Sequence, residues 1–156
     1  MKGGIFVPYL IKENTYALIP NERKTKVIEK ESSILINETP VEVVSKNCII
    51  NGSSLEGRQR GSSYLIGTNH KPPIIVNDFK NIILIPTHSI RNKDCIWVNL
   101  NKILNYYPTD NNKIILEFKN NKKIVLNISF SKFDKQVLRA TRLESVLRGR
   151  NNKKYL

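Results

Sequence analysis

The chain has 156 residues, of which 40% are hydrophobic, enough for one compact domain to bury a core without disulfides, metal or a partner. Its longest early apolar stretch, Ile5 to Ile11, carries Pro8 and no cleavage site follows it. A membrane span of ~20 apolar residues is excluded, and the expectation is a cytoplasmic protein whose two cysteines, Cys48 and Cys95, stay reduced.

In chain order, short strands with polar turns come first: Ile5 to Ile11, Tyr16 to Ile19 stopped by Pro20-Asn21, Lys26 to Glu29, and Ile34 to Ile36. Thr39-Pro40-Val41-Glu42 then has the cap, the first-turn proline and the reciprocal carboxylate of a helix start. The helix is expected to run to about Lys46. Residues 51–63 hold Gly52-Ser53-Ser54, Gly57-Arg58-Gln59-Arg60-Gly61 and Gly61-Ser62-Ser63, and read as a polar loop or a turn of helix.

Lys71-Pro72-Pro73 predicts extended backbone before the run Ile74 to Val76. Strands follow at Ile82 to Ile85 and Cys95 to Leu100, the latter with the only tryptophan, Trp97. Ile114 to Phe118 and Ile124 to Ile128 alternate about Asn120-Asn121, residues that tolerate the positive φ of a primed hairpin turn. Ser131-Lys132-Phe133-Asp134 resembles a capping box opening a long helix near 132–148. Phe133, Val137, Ala140, Leu143 and Leu147 would line its dry face, and Lys132, Lys135, Arg139 and Arg142 a basic one. The expected fold class is α+β, a single domain of mainly antiparallel strands with these two helices.

The formal net charge is +13, and a Lys-, Ile- and Asn-rich composition also follows from AT-rich codons. The distribution of charge is more informative. Residues 1–50 hold seven Lys or Arg and six Asp or Glu, whereas residues 51–156 hold nineteen and seven. Codon drift favours Lys, yet arginines cluster at Arg58 and Arg60 and again at Arg139, Arg142, Arg148 and Arg150.

Guanidinium donors match phosphate and base-edge acceptors, so the glycine-flanked pair points to a nucleic-acid groove, with a solvated surface turn as the bland alternative. Arg58 and Arg60 would point together if the segment is extended. Ser53, Ser54 and Ser62 could add phosphate contacts, as could His70 and Lys71, while Arg139 and Arg142 lie on a helix face that could equally be solvated. Trp97, Tyr106 and Tyr107 could stack on bases, but are expected in the core.

Two other classes remain open. Asp110 and Glu117-Phe118-Lys119 are similar to the carboxylate and lysine set of magnesium-dependent nucleases, though the first looks like a turn and the second flanks a hairpin. An RNA-binding module could use the same basic surface. Cys48, His70, His88 and Cys95 supply zinc-ligand types without the close spacing of a structural site. Neither a P-loop nor a Gly-x-Ser-x-Gly motif occurs, and no catalytic centre, cofactor or metal is expected.

The order and spacing of Gly52-Ser53-Ser54, Gly57-Arg58, His70-Lys71-Pro72-Pro73-Ile74 and Ile85-Pro86-Thr87 resemble the bacterial competence transcription factor family, ComK. The likeness extends through Trp97 and the hairpin to Phe133, Gln136-Val137 and Arg139. The resemblance implies a DNA-binding domain spanning 1–156, nucleoid-associated, that activates genes for DNA uptake and contacts RNA polymerase. It also implies a homodimer, or a dimer of dimers, on AT-rich boxes read through the minor groove. That agrees with arginines entering a narrow, electronegative groove, and no helix-turn-helix pattern competes with it. Longer members of the family continue into a tail used for adaptor-mediated proteolysis. This sequence stops at Leu156, so comparative resistance to that route is expected.

Overall fold

A computed structural model describes residues 8–152, with side chains through residue 149. Its first six-stranded sheet has the order β3-β2-β1-β6-β5-β4, with β1 Thr15–Asn21, β2 Lys24–Glu29, β3 Ser33–Ile36, β4 Ile74–Asn77, β5 Ile82–Pro86 and β6 Trp97–Asn99. A second sheet follows the order β7-β8-β9, with β7 Ile103–Pro108, β8 Ile114–Phe118 and β9 Lys123–Leu126. All strand pairs are antiparallel. Among the described residues three α-helices complete the fold, α1 Pro40–Ile50, α2 Leu55–Ile66 and α3 Phe130–Asn152, and the α+β class holds.

Strand alternation divides the core between the two faces of the large sheet. Leu18, Val27 and Trp97, with Ile74, Ile82 and Leu84, pack under Val43, Val44 and Cys48 of α1. On the opposite face, Ala17, Ile28 and Val98 meet Ile114, Leu116, Phe118 and Leu126 of the small sheet. Ile75, Ile83 and Ile85 instead meet Ala140, Leu143 and Leu147 of α3. Leu55 of α2 packs with the first cluster and Leu65 and Ile66 with the third, so α2 crosses the edge strand β4 and closes it off.

Several boundaries differ from the sequence reading. Pro8 to Ile11 form no strand, and Ile5, Phe6 and Val7 lie outside the described residues. β1 continues through Pro20-Asn21, because beyond Leu18 it pairs with β2 alone and a proline there removes no bond to β6. The strand with Trp97 is shorter than Cys95 to Leu100, since the Cys95 N–H closes a turn on Asn92 and Leu100 begins a 3-10 turn. Strand β7 carries Tyr106 and Tyr107, in a segment to which the sequence reading assigns no strand bounds.

The Asn120-Asn121 turn takes only one positive φ, at Asn121 (φ 70°). The Phe118 N–H bonds to the Lys122 carbonyl, so the hairpin has a three-residue loop. Helix α1 has the predicted capping box, Thr39 with Glu42, and runs on to Ile50. Helix α3 starts earlier than Ser131: the Ser129 hydroxyl accepts from the Lys132 N–H and its carbonyl from the Phe133 N–H.

Candidate nucleic-acid interface

The largest departure is at residues 55–66, which form the twelve-residue helix α2 where a polar loop or no more than a turn of helix was expected. Ser54 caps it, accepting from the Gly57 N–H at 2.9 Å, and Gly67 ends it with the left-handed φ of 70° that glycine takes without strain. Two internal glycines each cost a helix about 1 kcal/mol. Partial burial of Leu55, Leu65 and Ile66 against the two core clusters offsets that cost.

Helical geometry separates the paired arginines, since residues two apart project about 200° from each other. The expectation that Arg58 and Arg60 point together required extended backbone, and it fails. Arg58 is half-buried and its guanidinium approaches the Asn51 carbonyl at 3.4 Å. There it faces the C-terminal end of α1, whose own last turn contains no basic residue. The same charge acts on Cys48, whose thiol burial pushes up to about 11 while Arg58 pulls it the other way. Arg60 is exposed on the outer face with Gly57, Gly61 and Tyr64, the last 88% exposed.

Of the serines, Ser54 is committed to the helix cap and Ser53 is half-buried beside Gly57. Ser62 faces the core at 0% exposure, which removes it from any duplex-contacting surface.

His70 and Lys71 lie against the basic face of α3. Lys71 takes a positive φ of 43°, an unusual conformation for a non-glycine residue and doubly so before proline. The reading of extended backbone throughout this segment is therefore corrected at Lys71. Gln136 holds the turn: its buried amide donates to the carbonyls of Lys71 and Pro86, each at 3.0 Å. Arg139 completes the brace, donating to Gln136 Oε1 at 2.7 Å and approaching the His70 carbonyl at 3.4 Å.

The result is a concentration of positive charge. Burial, and then the charges of Lys132 and Arg139, hold the Lys71 ammonium below the ordinary lysine value. An anion placed here relieves that repulsion. Neither of the ion pairs between described residues, Glu38–Lys46 and Glu144–Arg148, draws on this cluster. Lys132, Lys135 and Arg142 are exposed along the same face of α3. Two adjoining grooves share Gln59, Asn69 and Pro72: one of about 500 Å³ is bordered by Arg60 and Tyr64, the other of about 470 Å³ by His70, Lys71 and His88.

Of the three aromatic residues expected in the core, only Trp97 is fully buried, and Tyr106 and Tyr107 are half-buried. Trp97 is buried, while Tyr106 packs edge-on to Phe133 and donates from its hydroxyl to Asp134 at 2.6 Å. Tyr107 is half-buried on the small sheet. Asp110 lies in the β7–β8 turn and Glu117 near the far end of β8, ~13 Å of strand beyond that turn, too far to share a metal ion. Cys48 and Cys95 are free thiols, and among the described residues no group of three or more His, Cys, Asp or Glu could hold a metal. Nor is any described helix long and apolar enough to cross a membrane.

Sequence reasoning missed Gln59, Tyr64 and the bracing role of Gln136. Tyr64 shares the Gly57/Gly61 face only once helical spacing is known, and Gln136 acts on carbonyls 50 and 65 positions away.

Together, the fold and this surface define an α+β protein with a cationic groove beside a hydrogen-bonded turn. The model of the ComK protein family matches residues 7–152, and the chain belongs to that family. It is 31% identical over 146 residues to the competence transcription factor of Bacillus subtilis (strain 168), covering 91% of this chain and 76% of that relative. A solved LytTr DNA-binding domain of a response regulator from Bacillus cereus is loosely similar, at 15% identity and a TM-score of 0.41 over 80% of this chain and 81% of its own. At that level the likeness implies no function.

Proposed function

We propose that this protein is a non-catalytic DNA-binding regulator that activates competence genes, in the cytoplasm at the nucleoid. The carrying observation is the cluster of Lys71, Lys132 and Arg139, in which Gln136 holds Lys71 and Arg139 at a strained turn, beside grooves that reach Arg60 on α2. Family membership and the name of the B. subtilis relative support the same reading.

In the finer proposal, the protein binds AT-rich duplex through the minor groove as a homodimer or dimer of dimers, and 1–156 acts as one DNA-binding domain. Lys71, Lys132, Lys135, Arg139 and Arg142 anchor phosphates, with His70 at the margin. Arg60 enters the narrow groove, where a guanidinium loses less hydration than an ammonium. Arg58, Ser53 and Ser54 stand behind it, supporting the helix ends. RNA polymerase is the partner that activation requires.

The test incubates the protein with labelled AT-rich duplex, mixed-sequence duplex and single-stranded RNA, with and without magnesium. Preference for AT-rich duplex that distamycin competes away and major-groove methylation leaves intact is the expected result. RNA preference, or cleavage that requires magnesium, overturns it.

A further inference from the structure

A second concavity lies away from α2 and α3. It holds about 420 Å³, within the size of small-molecule sites. Pro20, Pro40, Val41 and Ile90 line it, with Cys95 and Trp97, both buried, at its floor. Its exposed border carries Arg91 and Lys93 against a single carboxylate, Glu22, so the border is net positive. The nearby start of α1 is not the source of anion affinity, because the Glu42 carboxylate already occupies the Thr39 N–H.

The wall between this cavity and the basic groove is one loop. Ile90 and Asn92 line both spaces, and the same loop supplies His88 and Ser89 to the groove. Its ends are tied across Thr87 and Ile96, and its interior by bonds from Asn92 to Ser89 and from Cys95 to Asn92. It is short and internally braced. A molecule seated against Ile90 therefore shifts the groove's border as a unit.

We infer that this cavity is an effector site for a small apolar compound carrying one anionic group, and that its occupancy alters polyanion binding through the loop from Thr87 to Cys95. The cavity's lining selects the apolar body, and Arg91 and Lys93 select the charge. The coupling half of the inference rests on the DNA-binding reading above. The cavity half does not.

The probe is 8-anilinonaphthalene-1-sulfonate, an aromatic body with one sulfonate. Binding is read without DNA, as energy transfer from Trp97, the only tryptophan. Saturable single-site binding is expected, weakened at least tenfold by Val41→Phe or Ile90→Phe and several-fold by Arg91→Ala with Lys93→Ala. Two separate filling variants guard against a folding failure, which circular dichroism detects. Absence of saturable transfer, or equal binding by both folded filling variants, overturns the cavity site. Saturating probe should also change the parent's affinity for AT-rich duplex at least threefold, without effect in the filled variants. Loss of probe binding on filling with no change in duplex affinity overturns the coupling. A parent that binds the probe but no duplex overturns the functional reading and leaves the cavity standing.

Discussion

Helices α2 and α3 pack against each other and border the same basic surface, yet they reach that position by opposite routes. α3 has an apolar stripe at helical spacing and a basic side, so its local sequence and its tertiary role agree. α2 has glycines at two interior positions and a polar composition, and is helical because half-buried leucine and isoleucine side chains at its two ends pack against different core clusters. Such disagreement between local preference and final structure tends to collect at functional surfaces. In α2 it leaves a bare outer face, without side chains at Gly57 and Gly61, flanked by Arg60 and Tyr64.

The comparison is broken most severely by removing α3's charge. Alanine at Lys132, Lys135, Arg139 and Arg142 should weaken binding to every duplex alike and lower the salt slope by ~0.9 for each phosphate that a side chain no longer neutralises. Filter-binding titrations over a range of salt measure it. An unchanged slope would assign this face to solvent or to protein partners.

Next in size is the brace. Gln136→Ala strands the Lys71 and Pro86 carbonyls and frees Arg139, and should cost about 1–3 kcal/mol in chemical denaturation. Duplex affinity should fall as well in the folded variant, because the Lys71 turn is then unheld. A drop in stability with affinity intact would make Gln136 purely structural.

Arg58 and Arg60 can now be tested apart. Arg60→Lys preserves charge and should reduce discrimination between AT-rich and mixed duplex by ~1–3 kcal/mol, the scale of a readout contact. Arg58→Lys should leave discrimination intact, and Arg58→Ala should cost stability of ~0.3–1 kcal/mol through the end of α1. The reverse pattern would make Arg58 the reader.

Gly61→Ala addresses α2's bare face, where an added Cβ meets nothing within 4 Å. The protein should gain up to about 1 kcal/mol from helix propensity and bind duplex several-fold more weakly, since a methyl then stands between helix and DNA. A gain in stability with unchanged affinity would leave the face to solvent. Gly57→Ala should gain less, because its Cβ would press the Ser53 and Ser54 hydroxyls at 3.0 and 3.1 Å, and Ser54 is the cap.

The smallest effect is a pH dependence. Lys71 is held below the ordinary lysine value, and only its charged form attracts phosphate. Raising pH through that depressed value removes the charge, so affinity should fall at lower pH than an ordinary lysine would cause. Lys71→Arg should flatten the profile, and identical profiles would detach Lys71 from the interface.

The class of fold, the start of α1, the β8–β9 hairpin and both faces of α3 were legible in the sequence, because each is encoded by neighbours within a turn or a strand. So were the charge asymmetry and the family likeness. What only tertiary structure decided is the conformation of residues 55–66, the parting of Arg58 from Arg60, the burial of Ser62 and the strained turn at Lys71. The physical reason is common to all four. Packing against sheet and helix supplied energy that outweighed local glycine and proline preferences, and Gln136 reached carbonyls that are distant in sequence and adjacent only in the fold.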